Sequence, residues 1–164
     1  MNTLEIDDAY RRYFPTIRAK CRRMIAEPAE AEDVAQETFV RLWNSRAELR
    51  DGGAVAAWIY RTATRLAVDR MRRRAVHDRH QFTLEANQRG LDLDPERRAA
   101  LVQFLGALAA KLPRRELEIT LLSRIDGLDT QEIAALFALS ERSVRRILQQ
   151  ADARMQTLRQ ELVG

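Results

Sequence analysis

The sequence predicts an all-α protein: two small helical domains joined by a flexible linker. Three observations carry this. Apolar residues recur at helical spacing along nearly the whole chain. Gly and Pro are scarce, at 6 and 4 of 164 residues, and aromatic residues make up only 6%, too little for a turn-rich sandwich or barrel. The periodicity lapses once, over residues 76–94 (VHDRHQFTLEANQRGLDLD), which reads as a tether between domains at 1–75 and 95–164.

Each element follows from local signals. A first helix is expected over about 3–26, bent or restarted at Pro15. Pro28 suits a first helical turn, and the helix it opens runs to about Trp43, with Val34, Phe39, Leu42 and Trp43 on its apolar face. The stretch SRAELRDGG (45–53) is a loop ending on turn residues. A long helix follows from about Ala54 to Arg74, with Trp58, Ile59, Thr62, Leu66 and Met71 along its apolar stripe and arginines over the remaining surface. Pro95 opens a helix to about Leu112, and Pro113 opens the next, which stops at Gly127. A short helix over Asp129–Phe137 and a last one from Ser140 to about Leu162 complete the chain.

Charge is uneven. The net charge is +4 with a pI near 9.8, and only Lys20 and Lys111 among the bases are lysine. Residues 27–43 hold Glu27, Glu30, Glu32, Asp33 and Glu37 against Arg41. Residues 61–74 hold Arg61, Arg65, Arg70, Arg72, Arg73 and Arg74 against Asp69. The first segment repels a phosphate backbone and the second attracts it. The bland reading of 72–74 is a solvated helix end, where cations also favour the dipole. For Trp58 the bland reading, core packing, outweighs base stacking.

Residues 129–150 (DTQEIAALFALSERSVRRILQQ) carry the sharpest pattern. Asp129 and Glu132 have capping-box spacing, Ala138-Leu139-Ser140 makes a short turn, and Ser140 caps a second helix with Val144, Leu148 and Ala151 on its inner face. Two short helices joined in this way form a helix-turn-helix, whose second helix presents Glu141, Arg142, Arg145 and Arg146 near its start to a major groove. The planar guanidinium fork suits guanine or phosphate. An ordinary helical hairpin gives the same spacing, and residues 113–164 balance eight Arg against eight acids, which argues against a strong nonspecific grip.

The order of acidic helix, loop, arginine-rich helix, tether and helix-turn-helix resembles the extracytoplasmic-function sigma factors of the sigma-70 family. AEDVAQETFVRLW (31–43) resembles region 2.2, AWIYRTATRLAVDRMRRR (57–74) regions 2.3 and 2.4, and LPRRELEITLLSRIDGLDTQEIAALFALSERSVRRIL (112–148) region 4. The resemblance implies a transcription initiation factor, not an enzyme and without a cofactor, in which a region 2 bundle melts and reads the −10 element and region 4 reads the −35 element. It implies as partners RNA polymerase core (through the β′ clamp helices and the β flap), promoter DNA and an anti-sigma factor. Carried onto this chain, polymerase contacts fall on Asp33, Gln36, Glu37 and Arg41, with Phe39 and Trp43 holding the fold. Contacts to −10 fall on Arg61, Arg65, Arg70, Arg72 and Arg73, and contacts to −35 on Ser140, Glu141, Arg142, Ser143, Arg145 and Arg146. The 48–53 loop corresponds to the family's specificity loop, where two glycines allow close approach to a base. The chain departs from many relatives at Arg65 (Asn), Ala138 (Gly) and Gln150-Ala151-Asp152 (Arg-Ala-Arg). TRLAVDRMRRR, LLSRIDGL and VRRILQQA are closer to the iron-starvation subgroup, whose members respond to a siderophore receptor through a membrane-bound regulator.

Other chemistry finds little support. His77 and His80 lie in the tether without matching ligands, so no metal is expected. Cys21, the single cysteine, sits on an apolar helix as a small core residue and fits a reducing compartment. No phosphate-binding glycine loop, nucleophile–base pair, signal peptide or run of about 18 apolar residues is present, and a cytoplasmic location without membrane insertion is expected. Two other functions remain open at the level of sequence. An autonomous helix-turn-helix regulator leaves 27–74 unexplained, and a protein-only helical adaptor leaves the arginine run idle.

Overall fold

In the computed structural model the described residues are 1–50, 52–77 and 94–164, with backbone alone for 52, 53 and 75–77. They form seven helices: α1 (Thr3–Met24), α2 (Pro28–Asn44), α3 (Gly52–His77), α4 (Pro95–Lys111), α5 (Arg114–Arg124), α6 (Thr130–Phe137) and α7 (Glu141–Val163). No strand occurs among the described residues, so the all-α expectation holds. Most of the linker expected at 76–94, His80 included, lies outside the described residues.

The helix boundaries are set by caps. Asn2 and Glu5 form a capping box at the start of α1. The Asp94 side chain accepts from the Glu96 amide at 3.2 Å, with Pro95 next in the first turn of α4. Asp129 and Glu132 form the capping box expected for α6, and Ser140 accepts from the Ser143 amide to start α7. Each such cap contributes about 1 kcal/mol by giving an orphan amide an acceptor. Two boundaries differ from expectation. α1 runs through Pro15 as one helix. α3 begins at Gly52 rather than Ala54, so the glycine pair lies in its first turn, where amides need no intrahelical partner and a break in the ladder costs little.

α1, α2 and α3 pack together, and α5, α6 and α7 pack together, but the two groups are not separate bodies. A single buried core runs from Ile17, Met24, Val34, Leu42, Ile59 and Val68 into Leu105, Leu108, Leu117, Leu121, Ala151 and Leu158. A second, smaller core joins Ile119, Leu122, Ile133, Ala134, Phe137 and Val144. α3 is the shared wall, touching α4, α5 and α6 as well as α1 and α2. The C-terminal helices are therefore held by apolar burial, at about 25 cal/mol per Å² of surface removed from water.

Candidate polymerase and nucleic-acid interfaces

On α2 the helical period buries Val34, Ala35, Thr38, Phe39 and Leu42 and leaves Asp33, Gln36, Val40 and Trp43 exposed. Those four recur at spacings of three, four and three, which places them on one stripe. Glu37 lies beside the stripe and is paired, accepting from Arg41 at 2.8 Å and approaching Arg70 of α3 at 3.8 Å. Asp33, Gln36, Glu37 and Arg41 thus share one accessible region. Trp43 departs from its expected role. It is 40% exposed and carries the Arg46 guanidinium 4.4 Å from its ring centroid, while Phe39 is buried beside Tyr10 and Phe14. Val40, 58% exposed, is not among the contacts that the resemblance implies, although its place between Phe39 and Arg41 puts it out of phase with the buried face.

α3 carries the cations, and the structure divides them. Arg65 and Arg73 are exposed. Arg61, one turn before Arg65, is covered: it donates to the Leu136 carbonyl, and its guanidinium carbon lies 4.4 Å from the Phe137 ring centroid. Arg72 donates to the Leu112 carbonyl at 2.8 Å, while its buried Nε finds no acceptor among the described residues. Arg70 leans toward Glu37, and Asp69 pairs with Arg114 of α5 at 2.6 Å. Trp58 is half-buried and packs on the main core, as its bland reading held.

One group is not legible in the sequence at all. Lys20 of α1 is buried and donates to Thr64 Oγ1 and to the Asp126 carboxylate, with the Tyr60 carbonyl at 3.5 Å. Thr64 Oγ1 also lies 3.5 Å from Asp126 Oδ2. The side chains of Lys20 and Asp126 are 2% and 3% exposed. Burial lowers the Lys20 pKa and raises that of Asp126; in each case the attraction of the partner opposes the shift. Such a pair adds little net stability, but losing one member strands a buried charge at a cost of about 3–5 kcal/mol.

The C-terminal unit presents a different surface. α6 ends at Ala138, which adopts a left-handed conformation (φ 51°, ψ 46°) that turns the chain into α7. Glu141, Arg142, Arg145 and Arg146 are all exposed at the start of α7. Ser140 and Ser143 are occupied locally, as cap and capped residue with their hydroxyls 2.9 Å apart. Glu141 pairs with Arg145 at 3.3 Å, and Arg142 and Arg146 make no ion pair among the described residues. Asp152 accepts from Arg124 of α5 through both oxygens at 3.0 and 2.7 Å.

An all-α chain that packs an exposed, arginine-bearing helix-turn-helix against a cationic helix has the make-up of a DNA-binding transcription protein. Residues 9–76 match the family Sigma-70 region 2, and residues 105–155 match Sigma-70, region 4. The chain belongs to the sigma-70 family, as an RNA polymerase sigma factor of the extracytoplasmic-function type. It is 30% identical to the probable RNA polymerase sigma factor RfaY of Xanthomonas campestris over 90% of this chain, and spans 38% of that relative's length. It is 28% identical to the ferric citrate uptake sigma factor FecI of Escherichia coli, over 91% of this chain and 87% of FecI. In fold it is similar to the sigma factor RpoE of Bartonella quintana, solved in complex with the anti-sigma factor NepR, with a TM-score of 0.58, 19% identity and coverage of 94% of this chain and 96% of that one.

Proposed function

We propose that this sigma factor docks on polymerase core through the exposed α2 stripe and reads the two promoter elements with α3 and α7. The observation that carries the reading is the exposed Arg142–Arg145–Arg146 face at the start of a Ser140-capped α7, on the opposite half of the sequence from a cationic α3. α7 enters the major groove at −35, Glu141 aligning Arg145. Ser140 and Ser143 set the helix start, so their contribution to DNA is through the aligned amides at that end. α3, with Arg61, Arg65, Arg70, Arg72 and Arg73, holds the opened −10 strand by its phosphates, and the 48–53 segment, whose Gly52 and Gly53 form the first turn of α3, captures a base.

Asp33, Gln36, Glu37 and Arg41 make the polar contacts with the β′ clamp helices, Val40 and Trp43 add apolar ones, and the C-terminal unit meets the β flap. The functional division falls at 1–75, 76–94 and 95–164. An anti-sigma factor is a further partner, supported by the likeness to a fold solved with one. No helix among the described residues is long and apolar enough to cross a membrane. The proposed factor acts on polymerase in the cytoplasm, with no chemistry of its own. The likeness to FecI supports placement in the iron-starvation subgroup. The deciding experiment is run-off transcription with purified core polymerase. Promoter-specific transcripts that require this chain are expected; tight duplex binding by the chain alone, without transcripts, would establish an autonomous regulator instead.

A further inference from the structure

Three cations of the N-terminal unit are held by acceptors of the C-terminal helices and their connections. Lys20 meets the Asp126 carboxylate, Arg61 the Leu136 carbonyl and Arg72 the Leu112 carbonyl. Two of these acceptors are neutral carbonyls; Asp126 alone is an anion, and it lies in the short connection between α5 and α6. Lys20 reaches this point by crossing from α1 to α3, where Tyr60 and Thr64 lie one turn apart and Arg61 is next in sequence. Lys20 and Arg61 are thus both held by groups of the C-terminal unit, at the α5–α6 connection and at the end of α6. Arg65 and Arg73 of the same helix stay exposed. The covering surface fits imperfectly, since Arg72 Nε is buried without an acceptor among the described residues.

We infer that the Lys20–Thr64–Asp126 cluster is a charge latch closing the C-terminal unit over α3, and that Asp126 occupies the position on Lys20 taken by a strand phosphate when the unit lifts away. The inference rests on the reading of α3 as a strand-binding helix. A carboxylate and a phosphate oxygen satisfy an ammonium in the same way, so the two compete for one site. Separation without replacement leaves Asp126 to water and Lys20 beside Thr64 with an unfilled donor. Separation with replacement gives Lys20 a new anion, and the exposed Arg65 and Arg73 provide the strand's first hold before the latch opens. Closed packing and strand binding then exclude each other, and each weakens the other by the same factor.

The test uses the full chain, with circular dichroism confirming helicity. Compactness is read by small-angle scattering, and strand binding by the anisotropy of a short fluorescein-labelled oligo-dT. Asp126→Asn keeps the side-chain size and removes the charge; it should enlarge the radius of gyration and tighten oligo-dT binding about tenfold, the gain when a competent state rises from a tenth of the population to nearly all of it. Adding Lys20→Met to Asp126→Asn should keep the chain open and give back several-fold of that gain. For wild type, saturating oligo-dT should itself enlarge the radius, which decides the matter even where a variant fails to fold. An unchanged radius in both Asp126→Asn and oligo-saturated wild type overturns the latch. Opening with no gain in oligo-dT affinity overturns the reading of α3 instead. Equal affinity of the open Asp126→Asn chain with and without the added Lys20→Met removes Lys20 from the strand site.

Discussion

Arg61 of α3 lies against Phe137 at the end of α6, its guanidinium carbon 4.4 Å from the ring centroid, while it donates to the neighbouring Leu136 carbonyl. Its partner in sequence spacing, Arg65, is exposed to solvent. Under the proposed function the two would act at different stages of promoter opening. Holoenzyme carrying Arg61→Ala and Arg65→Ala should bind the promoter as a closed complex and show reduced permanganate reactivity of thymines near −10. Normal reactivity with normal transcription would place the melting surface elsewhere.

Replacement of Asp33 and Glu37 by Arg reverses the charge of the accessible α2 face. Asp33 is exposed, and among the described residues Glu37 makes surface pairs with Arg41 and Arg70, worth about 0–1 kcal/mol, so the double variant should stay helical. Its binding to core polymerase, measured by co-purification, should be lost. Undiminished binding by the folded variant would exclude this face.

Arg142, Arg145 and Arg146 differ in what they leave available. Arg145 already pairs with Glu141, whereas Arg142 and Arg146 make no ion pair among the described residues. Alanine at a base-reading arginine should cost about 1–3 kcal/mol and relax preference at one base pair. Alanine at a phosphate-contacting arginine should weaken all sequences alike and reduce the salt slope by about one. Holoenzyme affinity across single-base promoter variants separates the two classes. Intact binding by the triple alanine variant would move −35 recognition off α7.

Burial raises the Cys21 pKa from 9.0 to about 12. The thiolate is the reactive form, so native protein at pH 8 should resist iodoacetamide, and denatured protein should react at the rate of a free thiol. Between pH 9 and 12 the unfolded chain releases this proton while the folded chain retains it, so stability should fall as pH rises through that window. Mass-spectrometric detection of rapid native alkylation at pH 8 would contradict the burial.

Ala138 holds a left-handed conformation at the turn between α6 and α7. Glycine adopts it without the Cβ clash, less the extra freedom glycine has when unfolded, so Ala138→Gly should stabilise the protein by about 0.5–1 kcal/mol. Urea denaturation should show a higher midpoint with an unchanged slope.

These residues also show what the sequence made legible. The α6–α7 pair was readable because its signals are local: Asp129 and Glu132 three apart, Ser140 at the cap, and Val144 and Ala151 in phase with the buried face. Trp43 departs from expectation because periodicity assigns a large aromatic to the core, whereas here Arg46 supplies it with an exposed partner. The closure of one unit on the other was not readable at all. Lys20 and Asp126 are 106 residues apart, one an ordinary lysine and the other the first half of an Asp-Gly turn, and only the folded chain brings them together. The −10 set shows the same limit: Arg61, Arg65 and Arg72 look alike in sequence, and cover by α6 and Leu112 is what separates them.

Arg98 stands in the first turns of α4 and donates to the carbonyls of Arg22, Ile25 and Ala26 at the end of α1, at 3.0 to 3.3 Å. That grip welds the start of α4 to the N-terminal half, although α4 follows the linker in sequence. The Leu112 carbonyl, just past the far end of α4, is fastened to α3 by Arg72. α4 is thus riveted at both ends to the body it was expected to leave. Beyond it, Pro113, with an extended backbone (φ −56°, ψ 145°), separates α4 from α5. Under the latch reading, an opening that releases Asp126 and the Leu136 carbonyl leaves α4 behind as a fixed post.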